Sequence, residues 1–110
     1  MLVKRFAEAV TYDAPNRRGV VGLGLQGFEA GGPVNEWVGF SQFLPGGGAG
    51  PEATPFEKVY GVLEGAMTVL VGRDEVVLAA LDSCTIGPGE VPGVVNRSNH
   101  DCKMLERDGF

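Results

Sequence analysis

One histidine, His100, and two cysteines, Cys84 and Cys102, are all that the chain offers of the side chains that most often serve as nucleophiles, proton shuttles or transition-metal ligands. A single imidazole excludes a zinc site built from several histidines. His100 closes the polar run Arg97-Ser98-Asn99-His100, where a solvated turn residue is expected rather than a catalytic base. Cys84 lies in an apolar stretch, and a buried thiol there is inert by default. Two glycine patterns could serve phosphate chemistry. Gly22-Leu23-Gly24-Leu25-Gln26-Gly27 spells G-x-G-x-x-G, but a dinucleotide site needs a helix directly after it, whose N-terminus holds the pyrophosphate. Phe28-Glu29-Ala30-Gly31-Gly32-Pro33 cannot start one. Gly46-Gly47-Gly48-Ala49-Gly50 could cradle an anion through backbone N–H groups, yet it lacks the Lys-Ser/Thr of a phosphate loop, so a turn between strands is expected.

Hydrophobic alternation predicts the elements that must position any site, and it favours strands almost throughout. Val20 to Leu25 and Glu36 to Leu44 are apolar stretches bounded by Gly and Pro. Lys58 to Leu63 alternates and stops at Glu64-Gly65, and Ala66 to Val71 follows, so a hairpin with Gly65 in its turn is expected. Glu75 to Ala79, Ser83 to Ile86, Val91 to Val95 and Asp101 to Glu106 complete the set. Only Val3 to Val10 has helical character. Many short strands with Gly/Pro turns point to an all-β sandwich or barrel.

Length and charge narrow the function. The chain has 110 residues, enough for a single domain, and 44% of them are hydrophobic, so its 18 Gly and 7 Pro read as turn residues. A net charge of −5 argues against a nucleic-acid partner, which needs a basic face. No apolar run approaches the ~20 residues that span a bilayer. The start MLVKRFAEAV lacks the apolar core of a signal peptide, so a cytoplasmic location is expected, and there the triplet Asn96-Arg97-Ser98 is no glycan acceptor. Two thiols fit a reduced compartment better than a disulfide scaffold.

Residues 46–96 resemble the cupin superfamily, whose single-domain members are antiparallel jelly-roll barrels. The family's first motif, G-x5-H-x-H-x3-E-x6-G, runs from Gly46 to Gly65 with every spacing kept. In the second, G-x5-P-x-G-x2-H-x3-N, the later Gly falls on Gly89 and the Asn on Asn96, and Asp82 stands where the family often has Asp. The resemblance therefore implies one cupin-like β-barrel domain over residues 1–110, with the N-terminal strands, residues 1–44, in reach of a homodimer interface. Val20 to Leu25 and the aromatic strand around Trp37 are the interface candidates; Trp37, Phe40 and Phe43 otherwise read as core.

The metal-ligand positions of the resemblance are all substituted, by Glu52, Thr54, Lys58 and Pro92. No cofactor is expected, because a 3-His-1-carboxylate site needs several lone pairs converging on one point. The resemblance instead implies that Glu52 and Lys58 pair inside the barrel where the metal would sit. Alternation along the strand then aims Tyr60 and Val62 into the same cavity, with Val59, Gly61 and Leu63 outward. Phe56, Cys84, Ile86, Val94 and Asn96 are further candidates for its lining, together with Thr54 and Pro92. Such a pair either fills a degenerate site or works. In the working reading Lys58, Glu52 and Tyr60 are the catalytic candidates of a cofactor-free lyase or isomerase acting on a small organic acid or phenolic compound. A non-catalytic ligand-binding barrel and a metal site rebuilt from Glu52, Thr54 and Cys84 or another carboxylate remain the alternatives.

Overall fold

Short β-branched and aromatic runs punctuated by glycine and proline form nine strands in the computed structural model, which describes every residue from Met1 to Phe110. In chain order these are β1 (Val10–Tyr12), β2 (Arg17–Gln26), β3 (Glu36–Ala49), β4 (Glu57–Glu64), β5 (Ala66–Val71), β6 (Asp74–Ala79), β7 (Ser83–Ile86), β8 (Pro92–Val95) and β9 (Cys102–Gly109). They hydrogen-bond in the order β6-β5-β8-β3-β9-β4-β7, with β2 on β3 and β1 on β2, and every pairing is antiparallel. The 14-residue β3 is the spine. It pairs with β2 along most of its length on one edge, and on the other with β9 over Glu36–Phe43 and with β8 at Gly48 and Ala49. The sheet so folds onto itself as a nearly closed barrel, the all-β jelly roll the sequence predicts.

Period-two alternation puts one face of each strand inside. Phe43, Tyr60, Val62, Met67, Val69, Leu78, Ile86, Val94, Cys102 and Met104 form one buried cluster. Fully burying a side chain such as Val62 or Met67 contributes about 1.5–3 kcal/mol.

Three expectations need correction. The stretch Val3 to Val10 is not a helix: a 3-10 turn at Phe6–Glu8 leads into β1 at Val10. Gly46 to Gly48 is not a turn but the far end of β3, where Gly47 and Gly19 approach so closely that a Cβ on Gly47 would lie 2.3 Å from the Gly19 carbonyl oxygen. Gly65 does not close a hairpin. β4 pairs with β7 and β9, whereas β5 pairs with β6 and β8, so Gly65 marks the crossing between the two halves of the barrel. Alternation predicts strands well but is silent on which strands meet.

Candidate functional site

The barrel holds a cavity of about 610 Å³, within the size range of small-molecule sites. Three neighbouring strands build its charged wall. β4 and β9 run antiparallel with Lys58 opposite Asp108 and Tyr60 opposite Glu106, and β3 sets Trp37 on the other side of Asp108. Cross-strand partners share a face, so Lys58, Tyr60, Glu106, Asp108 and Trp37 all line the cavity.

Lys58 Nζ donates to Glu106 Oε2 at 3.2 Å, with the two side chains only 15% and 17% exposed. Asp108 is buried, and its Oδ1 has no partner in the protein. Burial raises the Asp108 carboxyl to about 8; a hydrogen bond with Glu106 and that residue's negative charge push the same way, and Lys58 opposes them. Burial and the neighbouring acid therefore favour the protonated form of Asp108, whose carboxyl can then act as a donor. Burial, followed by the negative charges of Glu106 and Asp108, holds the Tyr60 phenol far above its usual range, so Tyr60 remains a hydroxyl donor.

A second cluster lines the same cavity. Arg17 Nη1 donates to Tyr12 Oη at 2.5 Å, Arg17 Nη2 donates to Ser41 Oγ at 2.8 Å, and the Tyr12 ring meets Trp37 edge-on at 5.0 Å. Two glycines make room for these rings. A Cβ on Gly22 would sit 2.8 Å from the Tyr12 ring, and one on Gly39 2.1 Å from that of Trp37. The G-x-G-x-x-G run thus has a structural use: its first glycine clears space for a cavity aromatic.

Of the sequence-predicted site residues, Lys58, Glu52, Tyr60, Pro92 and Val94 line the cavity. The expected Glu52–Lys58 pair does not form, because Glu106 on the adjacent strand takes the ammonium and leaves Glu52 exposed at the cavity wall. Six candidates lie elsewhere. Val62, Cys84 and Ile86 pack in the apolar cluster or against it. Thr54 Oγ1 donates to the Phe56 carbonyl, and Phe56 packs edge-on to Phe110. Asn96, fully buried, ties loops together through the carbonyls of Phe43, Leu44 and His100. Burial raises both thiols, Cys102 to about 11, which keeps them protonated. His100 is exposed, and Trp37 faces the cavity.

Glu106, Asp108, Arg17, Tyr12 and Ser41 do not stand out in the sequence. The signal for two of them is parity: Cys102, Met104, Glu106 and Asp108 share a strand face, and acids in register with buried apolar residues point inward.

The four positions of the cupin metal site do not fit a metal. Lys58 brings an ammonium already bound to Glu106, Pro92 has no donor side chain, the Thr54 hydroxyl serves a carbonyl, and Glu52 stands alone. No group of three or more His, Cys, Asp or Glu side chains in the chain could hold an ion.

No family model matches the chain. Among curated proteins, a beta-D-galactosidase of Mycobacterium tuberculosis is 40% identical over 105 residues, covering 96% of this chain and 90% of the relative. The polyketide cyclase RemF from Streptomyces resistomycificus superposes with a TM-score of 0.85 at 18% identity, covering 99% of this chain and 79% of its own. A predicted oxalate decarboxylase from Thermotoga maritima gives 0.84 at 22% identity, with 99% of both chains covered. An RmlC-like cupin from Shewanella frigidimarina gives 0.77 at 20% identity, over 96% of this chain and 87% of the other.

Proposed function

The chain has the cupin fold and belongs to the same family as the mycobacterial relative, and from that premise we propose that it is a glycoside hydrolase that cleaves a β-D-galactoside in its barrel cavity without a metal. The observation that carries this reading is Asp108, buried in the cavity wall beside Glu106 with its Oδ1 unpartnered and its carboxyl raised to about 8 by burial. Glycoside cleavage needs such an acid for the leaving oxygen and a second carboxylate for the attacking water. Asp108 delivers its proton to the glycosidic oxygen as the bond from that oxygen to the anomeric carbon breaks. Water adds to that carbon and gives its proton to Glu52, which also lines the cavity. Glu52 then releases its proton to solvent and solvent reprotonates Asp108, which restores both carboxyls. Glu106, bound to Lys58, stands beside Asp108 and helps hold the acid's proton, while Glu52 lies apart on the connection before β4. Lys58 binds Glu106 by its ion pair, Tyr60 donates a hydrogen bond, and the Trp37 ring, which Tyr12 meets edge-on, offers an apolar face to the pyranose.

The lyase or isomerase reading on a small organic acid or phenolic compound is the second choice. Tyr60, kept as a phenol near Lys58 and Glu106, favours it because that trio could relay a proton to an enolate. A homodimer accompanies either reading, supported by Val21 on β2, which stands outward at 59% exposure.

Release of nitrophenol from a nitrophenyl β-D-galactoside tests the proposal. The wild type should turn it over, and Asp108→Asn should lower kcat by about 100-fold or more while leaving the fold intact. Full activity in that variant would remove Asp108 from the chemistry. Tight galactose binding without turnover would make the barrel a sugar-binding module.

A further inference from the structure

Arg17 is the one cation of the cavity with no carboxylate within 4 Å. Its companion Lys58 is matched by Glu106. Arg17 instead donates to two neutral hydroxyls, Tyr12 Oη and Ser41 Oγ, and lies 4.9 Å from the Tyr12 ring centre and 5.9 Å from that of Phe43. Ser41 and Phe43 are buried. Asp13, Glu29 and Glu52 also line the cavity, but all three are solvent-exposed and none reaches the guanidinium. A guanidinium drawn against buried groups without a counter-charge is costly, and hydroxyls and ring faces offset only part of that cost. Of its five N–H donors, two are spent on the hydroxyls.

We propose that Arg17 is the receptor for a carboxylate on the substrate, so that the preferred glycoside is an acidic one, of which a β-D-galacturonide is the simplest. This rests on the cavity being the reaction site. The shared cavity supports it: Arg17, Glu106 and Asp108 all line the one space of about 610 Å³, which has room for a sugar between them. A planar guanidinium is matched to a carboxylate by shape as well as charge, which an ammonium is not.

Calorimetric binding of D-galacturonate and D-galactose, to the wild type and to Arg17→Met and Arg17→Lys, is the test. The wild type should bind galacturonate about tenfold or more tighter than galactose, with the preference weakening as salt is added. Arg17→Met should bind the two sugars equally, and Arg17→Lys should keep the fold and recover only part of the preference. Should Arg17→Met fail to fold, Arg17→Lys alone decides, since its preference must fall below that of the wild type. Equal binding of the two sugars by the wild type, or an undiminished preference in the folded variants, overturns the carboxylate site. The two proposals fail separately. Galacturonate held through Arg17 with no glycoside cleaved sinks the hydrolase and leaves the carboxylate site, whereas cleavage of a neutral galactoside without that preference does the reverse.

Discussion

At Asp108 burial and Glu106 push the carboxyl proton on, while Lys58 pulls it off. Those opposed influences can be removed one at a time. A general acid works only while protonated, so turnover should fall as pH rises through about 8, the value that burial and Glu106 set for Asp108. Glu106→Gln deletes the neighbouring negative charge and leaves Lys58, and both changes lower the Asp108 value, so the alkaline limb should move down by roughly one pH unit. Lys58→Met deletes the opposing positive charge, and the limb should move up. Rate profiles of the two variants check this through opposite signs, which a nonspecific loss of structure would not produce. If both limbs move the same way, Asp108 is not the acid.

The strands succeed as positioning devices because register, rather than proximity in the chain, brings the groups together. Lys58 and Glu106 are 48 residues apart, yet β4 and β9 set them diagonally across one face. Glycines on β2 and β3 are as much part of the site as the charged residues, since Gly39 gives up its side-chain volume to the Trp37 ring. Gly39→Ala should therefore cost about 1–3 kcal/mol by overpacking, read as a fall in Tm, and should weaken sugar binding as the indole is displaced. Unchanged stability and affinity would mean that the ring has space to retreat. How much is legible in the sequence follows from the same facts. Alternation places the strands from Ala66 to Val71 and from Ser83 to Ile86 to the residue, and motif spacing from Gly46 to Gly65 indicates the barrel. Alternation carries no information on partners. Motif spacing therefore assigns the Lys58 counter-ion to Glu52, on the connection before β4, whereas Glu106 supplies it from β9. Phe56 and Asn96 read as cavity lining because the motif frames them, although one packs on Phe110 and the other clasps backbone carbonyls.

For the whole molecule, a barrel that encloses its cavity leaves the outer face of β2 for a partner. No helix in the chain is long and apolar enough to cross a membrane. The exposed Val21 side chain suits pairing of two copies, and Val21→Glu should shift the sedimentation coefficient from dimer to monomer. A wild type that sediments as a monomer would end that expectation. Whether the carboxyl groups work without a metal can be tested on one sample. Protein dialysed against a chelator would be assayed for galactoside turnover and for metal content by elemental mass spectrometry together. Turnover should be undiminished with metal per chain near zero. Turnover that vanishes on dialysis and returns with an added divalent cation would contradict it.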